Sequence, residues 1–146
     1  MKLGNPTLAR SETAARRKLV LLVEESVETL RRHGSSLRLD GYYVVEADSV
    51  HSASEAVRAL CPDVVVLDSR LPDGDGLALL ETWRASRTAM ADVPVLVLAA
   101  PAQGYEGDAA RFAGADDLVP KTCPDDVLAL HVTRALEGSA QRSRAP

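Results

Sequence analysis

Uninterrupted apolar runs alternate along this chain with stretches whose apolar residues recur every three or four positions. The runs at Leu19–Val23, at residues 64–67 and at Val95–Ala99 contain no polar residue. Strands buried on both faces show such runs, as in a parallel sheet that lies between two layers of helices. Shorter runs at residues 42–46 and 118–119 predict two further strands.

Apolar residues at helical spacing fill the intervals between these runs. The predicted helices cover residues 26–39, 49–60, 77–87, 105–113 and 124–137. Gly34 predicts a bend or a frayed second half in the first helix, because glycine costs about 1 kcal/mol relative to alanine in a helix interior. Gly138 predicts the end of the last helix. Strand and helix thus alternate five times, which predicts an α/β domain with a doubly wound, five-stranded parallel sheet.

The length of 146 residues suits a single domain of ordinary core size. The composition, 46% apolar and 26% charged, is typical of a globular protein. We expect a domain over residues 18–137, a flexible N-terminal arm over residues 1–17 and a flexible C-terminal tail over residues 138–146, because neither end shows a sustained period. We expect no second domain after the tail, and so no DNA-binding or catalytic output within the chain.

The formal net charge of −4 argues against a general nucleic-acid-binding surface, because an acidic protein repels phosphate backbones. No segment reaches the roughly 18 apolar residues of a membrane span, and the polar N-terminus lacks the apolar centre of a signal peptide. Cys61 and Cys123 stand far apart and outside any CxxC pattern, which fits two reduced thiols, although a disulfide between them stays open. These features predict a cytoplasmic protein without direct contact to membranes or nucleic acid.

Charged side chains stand directly after three of the predicted strands. Glu24 and Glu25 follow the first strand, Asp68 follows the third and Lys121 follows the fifth. The carboxyl ends of parallel strands meet at one edge of a sheet, so we expect these groups to lie together. Clustered carboxylates repel each other unless a hard cation such as Mg²⁺ neutralises them, and the lysine can bind an anion or hold Asp68 in place.

This combination suits the transfer of a phosphoryl group to Asp68. In that interpretation Asp68 is the nucleophile, Mg²⁺ screens its charge, and Lys121 pairs with an oxygen of the product. Taken alone, Asp68 is also explained as a turn former or a helix cap, and the two glutamates as solvated loop acids. Both interpretations stay open at this point.

Five blocks of the sequence, in order and at fitting spacing, resemble one known family. They are VLLVEES at 20–26, GYYVVEA at 41–47, PDVVVLDSRLPDGDG at 62–76, VPVLVLAA at 93–100 and GADDLVPK at 114–121. Over roughly residues 18–137 the chain resembles the receiver domain of bacterial two-component response regulators. The resemblance implies a flavodoxin-like (βα)5 fold and a signalling domain rather than an enzyme.

The resemblance also implies roles at the predicted site. Asp68 would be the phosphoacceptor and Lys121 would contact the phosphoryl group. Glu24 and Glu25 would form the acidic pair that holds Mg²⁺, and the backbone carbonyl of Arg70 would complete the metal site. The implied phosphodonor is a sensor histidine kinase or a phosphotransfer protein. The fourth helix, fifth strand and fifth helix would present the changed surface to a downstream protein, and a homodimer is left open.

Several positions depart from the family pattern and mark an atypical receiver. Ala99 stands where the family usually has a hydroxyl residue that bonds the phosphoryl group, which leaves the backbone N–H of Ala100 as a donor there. Leu118 replaces the Tyr or Phe whose rotation reports the switch. Glu25 is longer than the usual Asp, and Mg²⁺ demands near-ideal octahedral geometry, so we expect weakened metal affinity. Thr122 replaces a proline, which predicts a trans peptide bond before it.

Two functional hypotheses follow. The first is a stand-alone response regulator that accepts a phosphoryl group on Asp68 and acts through protein–protein interaction. The second is a pseudo-receiver, a protein-interaction domain independent of phosphorylation. It is favoured by the altered positions Ala99, Leu118, Glu25 and Thr122. An aspartate-dependent phosphohydrolase is disfavoured, because Ser69 and Arg70 follow Asp68 and no second catalytic acid stands at short spacing.

Overall fold

The computed structural model describes residues 16–100 and 104–144. Within them five parallel strands form one sheet: β1 Leu19–Val23, β2 Tyr43–Ala47, β3 Val64–Asp68, β4 Val95–Ala99 and β5 Asp117–Pro120. Their order across the sheet is β2-β1-β3-β4-β5. The order reverses between β1 and β3, and in open α/β sheets the crevice at the carboxyl ends of such a strand pair is where ligands bind.

Helices cover both faces of this sheet. They are α1 Val27–Leu39, α2 Val50–Ala59, α3 Gly76–Ala85, α4 Gly104–Ala113 and α5 Asp125–Arg144. Side chains alternate between the faces along each strand, so Val20 packs with Leu37 and Leu128 of α1 and α5, whereas Leu21 packs with Leu80 of α3 and its neighbours on α2 and α4. Every residue of β3 and β4 is buried, which explains their unbroken apolar runs.

The first helix is continuous through Gly34, so the predicted frayed second half is wrong. The reason lies outside the helix. A Cβ at position 34 would lie 2.7 Å from Oε2 of Glu46, and that carboxylate forms an ion pair with Arg38 at 3.0 Å. The glycine leaves room for this ion pair over the helix surface, and the helix keeps its regular hydrogen bonds.

The last helix continues past Gly138 to Arg144, so the predicted helix end at Gly138 is wrong. Glycine ends a helix when it adopts the left-handed conformation. Among the described residues, the glycines with positive φ are Gly41 and Gly114, at 96° and 111°, and Gly138 is not one of them. Residues 138–144 of the predicted tail are therefore helical. Residues 1–15 of the predicted arm and residues 145–146 lie outside the described residues.

A short antiparallel hairpin follows β3 and was not predicted. Its two strands are Arg70–Leu71 and Gly74–Asp75. Gly76 closes the loop, and a Cβ there would overlap the carbonyl oxygen of Asp68, so only glycine lets α3 begin this close to the end of β3. The hairpin therefore lies directly beside Asp68.

None of the helices in the described part of the chain is both long and apolar enough to cross a membrane. Cys61 is exposed and Cys123 is buried, and both are free cysteines in the structure, so the disulfide left open by the sequence is not formed. Residues 16–100 and 104–144 contain no cis peptide bond, as predicted for the bond before Thr122.

Candidate functional site

The buried carboxylate of Asp68 lies at the centre of the carboxyl edge of the sheet. Asp68 is the last residue of β3 and has no exposed surface. Its Oδ1 accepts hydrogen bonds from Nζ of Lys121 at 2.7 Å and from the backbone N–H of Arg70 at 3.1 Å. Its Oδ2 is also buried but finds no hydrogen-bond partner within the described residues. The structure thus brings Asp68 and Lys121 together at the edge where the strand ends were predicted to meet.

Lys121 reaches this carboxylate because its backbone is fixed to the neighbouring strand. The backbone N–H of Lys121 donates to the carbonyl of Ala99 at 2.9 Å, which ties the exit of β5 to the end of β4. The lysine side chain keeps 34% of its surface exposed, whereas that of Asp68 keeps 1%. The partly exposed ammonium therefore forms an ion pair with a carboxylate that is almost completely buried.

Glu24 brings a second buried acid to the same edge. It directly follows β1 and is 5% exposed. Burial is the main cause that raises its pKa to about 7, from an ordinary 4.5, and the negative charge of the nearby Asp68 adds to the effect. The N–H of Ser26 and the ammonium of Lys121 act in the opposite direction. One lysine is therefore shared by two buried carboxyl groups.

The donor set of this edge fits a hard divalent cation. Oδ2 of Asp68 lacks a partner among the described groups, and the pKa of Glu24 is raised to about 7 by burial and by the charge of Asp68. Carboxylate and carbonyl oxygens are the ligands that Mg²⁺ prefers. A cation placed between these two acids would supply both the missing bond and the missing charge.

Glu25 does not join the buried pair. It is exposed, and the described residues contain no group of three or more His, Cys, Asp or Glu side chains arranged to hold a metal ion. The structure therefore assembles two of the three carboxylates that were predicted to meet, and a role of Glu25 as a metal ligand stays a prediction. The same holds for the backbone carbonyl of Arg70, although its N–H already contacts Asp68.

The positions predicted to bind the phosphoryl group and to relay the switch carry aliphatic side chains. Ala99 ends β4 and is 5% exposed, and Ala100 follows it as an exposed residue. Leu118 is half-buried and packs on the core under α3 and α4. A Cβ added at Gly107 of α4 would lie 3.0 Å from Cδ2 of Leu118, so this leucine fills the space beneath α4.

Asp73 was missed by sequence reasoning. It sits at the tip of the hairpin after β3 and accepts hydrogen bonds from the N–H groups of Val50 and His51 at the start of α2. These partners are 23 and 22 positions away in sequence. Its neighbour Asp75 caps α3 through the N–H of Leu77 at 2.8 Å, a local bond that the Asp-Gly pair before a helix could have indicated.

Comparison with known proteins gives one family. The family model described as response regulator receiver domain matches residues 20–133 of this chain. Transcriptional regulatory protein KdpE of Mycobacterium tuberculosis (strain ATCC 25618 / H37Rv) is 38% identical over 103 residues, which cover 70% of this chain and 44% of that protein. Transcriptional regulatory protein PhoP of Escherichia coli (strain K12) is 34% identical over 104 residues, which cover 70% of this chain and 44% of that protein. The chain thus spans less than half the length of these curated relatives.

Solved structures agree with this result. A putative response regulator from Chloroflexus aurantiacus J-10-fl matches with a TM-score of 0.79 at 26% identity, over 84% of this chain and 99% of the other. NtrX from Brucella abortus matches with a TM-score of 0.81 at 27% identity, over 87% of this chain and 28% of NtrX. A CheY-like receiver domain protein from Methanospirillum hungatei JF-1 shares the fold, with a TM-score of 0.79 at 21% identity over 86% of this chain and 98% of the other.

These matches confirm the predicted flavodoxin-like (βα)5 fold and the family resemblance read from the sequence blocks. The family match covers the three strand ends that supply Glu24, Asp68 and Lys121. The chain belongs to the family of response regulator receiver domains.

Proposed function

We propose that Asp68 is a phosphoacceptor that takes a phosphoryl group from a sensor histidine kinase or a phosphotransfer protein. The observation that supports this most directly is the difference between its two oxygens. Oδ1 is held by Lys121 and by the N–H of Arg70, while the buried Oδ2 has no partner in the described part of the chain. A buried acceptor without a hydrogen bond lowers the stability of the fold by about 1–3 kcal/mol, and by more when it is charged. A ligand that bonds to Oδ2 would offset this cost.

In the proposed step an Asp68 oxygen attacks the phosphorus of the donor. A P–O bond to Asp68 forms while the P–N bond to the donor histidine breaks, and the imidazole leaves with the electron pair and takes up a proton from water. Lys121 already contacts the carboxylate, so its ammonium can pair with the negative charge that arrives. Burial of Asp68 strengthens this electrostatic stabilisation, because little water screens it.

Mg²⁺ is the proposed cofactor. Glu24 and Asp68 would hold it together with the backbone carbonyl of Arg70, and Glu25 is proposed as a further ligand. When bound, the ion would neutralise the carboxylates and the oxygens of the incoming phosphoryl group. We propose a weakened affinity, because the Glu25 side chain is exposed and is longer than the aspartate that usually stands at this position.

The signalling output is proposed to run through protein–protein contact, without an enzymatic reaction on another substrate. α4, β5 and α5 would present the changed surface to a downstream partner or to a second copy of the chain. KdpE and PhoP are transcriptional regulatory proteins by name. For this chain the net charge of −4 supports an output without direct contact to nucleic acid. The bacterial, cytoplasmic and stand-alone character of the protein stays a prediction.

Intact-mass spectrometry after incubation with acetyl phosphate and Mg²⁺ tests the phosphoacceptor role. The wild-type protein is expected to gain the mass of one phosphoryl group, and Asp68→Asn is expected to gain none. Asparagine keeps the size of the side chain but removes the nucleophilic carboxylate. An equal gain in both proteins would place the modification on another residue and would contradict the proposal.

A pseudo-receiver is the second candidate function. It is favoured by Ala99, which is buried without a hydroxyl group, and by Leu118, which packs beneath α4 where an aromatic switch would otherwise turn. In this case the wild-type protein would gain no mass from acetyl phosphate, and a partner would bind the unmodified fold. The same mass measurement therefore separates the two candidates.

A further inference from the structure

The tip of the hairpin after β3 is fastened to the start of α2 by one carboxylate. Oδ1 of Asp73 accepts the N–H of Val50 at 2.7 Å, and Oδ2 accepts the N–H of His51 at 3.0 Å. These two bonds keep the pKa of Asp73 below its usual value, so the side chain is a carboxylate at neutral pH. Both of its oxygens are therefore committed to the first two free N–H groups of a helix that precedes it in the chain.

The helix itself has a complete cap without Asp73. Oγ of Ser49 accepts the N–H of Ser52 at 3.0 Å, and Oγ of Ser52 accepts the N–H of Ser49 at 3.1 Å, which is a capping box. A capping box leaves the first two N–H groups of the helix unsatisfied. Asp73 uses those two groups, and the bonds therefore join two separate elements.

The hairpin connects this attachment to the phosphoacceptor. Arg70 pairs with Asp75 and Leu71 pairs with Gly74, so Pro72 and Asp73 form the connecting tip. At the other end of the same strand, the N–H of Arg70 donates to Oδ1 of Asp68 at 3.1 Å. Only Leu71, in the antiparallel ladder, and Pro72, in the tip, thus separate the residue that bonds Asp68 from Asp73.

The tip and α2 are also packed closely. A Cβ added at Gly74 would lie 3.2 Å from Cγ2 of Val50, which leaves little room for the tip to slide along the helix. The exit of the loop is fixed too, since the N–H of Gly76 donates to the carbonyl of Ser69 at 3.0 Å. The hydrogen bonds that hold the tip itself on α2 are those of Asp73.

We propose that Asp73 is a positioning residue for the phosphoacceptor site. By holding the hairpin tip on α2, it fixes the Arg70 peptide, whose N–H orients Asp68 and whose carbonyl is a proposed ligand of Mg²⁺. This inference rests on the phosphoacceptor function proposed above. It also links α2, a helix that supplies no residue to the site, to the geometry of that site.

The test compares Asp73→Ala with Ser49→Ala in the full chain. Both remove hydrogen bonds at the start of α2, but Ser49→Ala leaves the hairpin attachment in place. Mg²⁺ affinity is measured by isothermal titration, and the initial rate of phosphorylation by intact mass with acetyl phosphate. Asp73→Ala is expected to lose about tenfold in Mg²⁺ affinity, as is typical when a group that orients a metal ligand is removed, and Ser49→Ala is expected to stay close to wild type. Asp73→Asn keeps one accepting oxygen and should fall between wild type and Asp73→Ala.

Amide hydrogen exchange of Arg70, followed by NMR without metal or phosphodonor, gives an independent readout. Exchange is expected to speed up in Asp73→Ala and to stay unchanged in Ser49→Ala. A wild-type protein that gains no phosphoryl group would contradict the proposed phosphoacceptor function. Equal exchange rates of the Arg70 amide in the two variants would contradict the positioning role of Asp73 alone. Equal Mg²⁺ affinity in Asp73→Ala and in a phosphorylatable wild type would also overturn the inference.

Discussion

Nζ of Lys121 lies 2.7 Å from Oδ1 of Asp68, and this ion pair joins a fully buried carboxylate to an ammonium that keeps about a third of its surface in solvent. The same ammonium is also the positive charge that opposes the raised pKa of Glu24. Its removal therefore affects both acids of the site, and the consequences differ for phosphorylation and for metal binding.

Lys121→Gln is expected to slow phosphorylation by acetyl phosphate and to strengthen Mg²⁺ binding. The transferred group loses a charge-assisted bond worth about 1.5–3 kcal/mol, which corresponds to about tenfold or more in rate. The cation gains affinity because a competing positive charge has left the carboxylate. Intact-mass kinetics and isothermal titration measure the two effects, and a parallel loss of both would contradict this separation of roles.

The stability of the metal-free protein is expected to fall as the pH rises from about 4.5 to about 7. The pKa of Glu24 is about 7 in the folded protein and 4.5 ordinarily, so in this range the folded state holds a proton that the unfolded chain has released. Glu24 makes its whole contribution to the free energy of unfolding below pH 4.5, and this contribution is lost as the pH rises to about 7. Its upper limit is about 3 kcal/mol. Urea denaturation across this range with EDTA measures it. Glu24→Gln should lack this slope, and an unchanged slope would refute the assignment.

Acidification below about pH 6.5 is expected to destabilise the fold through His33. This side chain is fully buried, and its Nδ1 has no partner among the described residues. Burial and the nearby Arg32 guanidinium lower its pKa from 6.5, against the opposing charge of Asp125. The unfolded chain therefore takes up a proton first as the pH falls, so stability is lost in the direction opposite to the Glu24 effect. Denaturation curves of His33→Gln should lack this acid-side loss, while those of His51→Gln, at an exposed position, should keep it.

Ala99→Thr is expected to change the lifetime of phospho-Asp68 or the conformational change that follows phosphorylation. Ala99 ends β4 directly after Leu98, which pairs with Asp68, and its carbonyl accepts the N–H of Lys121 at 2.9 Å, so we expect a hydroxyl group at this position to lie near the transferred group. The added charge-assisted bond is worth about 1.5–3 kcal/mol. Intact-mass decay curves and NMR shifts of α4 and β5 follow the two effects. If neither the wild type nor Ala99→Thr takes up a phosphoryl group, the metal site is the defect.

Gly76→Ala and Gly138→Ala are expected to change stability in opposite directions. A Cβ at Gly76 would overlap the carbonyl oxygen of Asp68, and the backbone must move, so we expect a loss of more than about 3 kcal/mol. Among the described residues, a Cβ at Gly138 would meet only Nη1 of Arg142, at 3.7 Å. Gly138→Ala should raise the free energy of unfolding by about 0.5–1 kcal/mol, because position 138 lies inside α5. Urea denaturation checks both, and a loss of stability in Gly138→Ala would argue for a helix that ends there.

The strands of the sheet and most of the helices were predictable from the sequence, because buried segments show a local pattern of apolar residues. An unbroken apolar run such as Leu19–Val23 marks a strand covered on both faces, and its bounds agree with the structure. The meeting of Asp68 with Lys121 was also predictable, since parallel strands end at a common edge. The effects of Gly34 and Gly138 were less certain, because a glycine costs a helix only about 1 kcal/mol and both helices continue through these positions.

Tertiary structure alone decided which of the acids enters the site. Glu24 and Glu25 are adjacent and chemically alike, and successive side chains leaving a strand point to opposite sides, so one is buried and the other exposed. Asp73 likewise binds N–H groups that lie 23 and 22 positions earlier, a distance over which no local pattern records a partner. The layers of the fold and the edge where chemistry can occur were predictable from the order of the residues, because the period of apolar residues reports burial. The contacts that tune this edge depend on which distant backbones meet, and folding alone decides that.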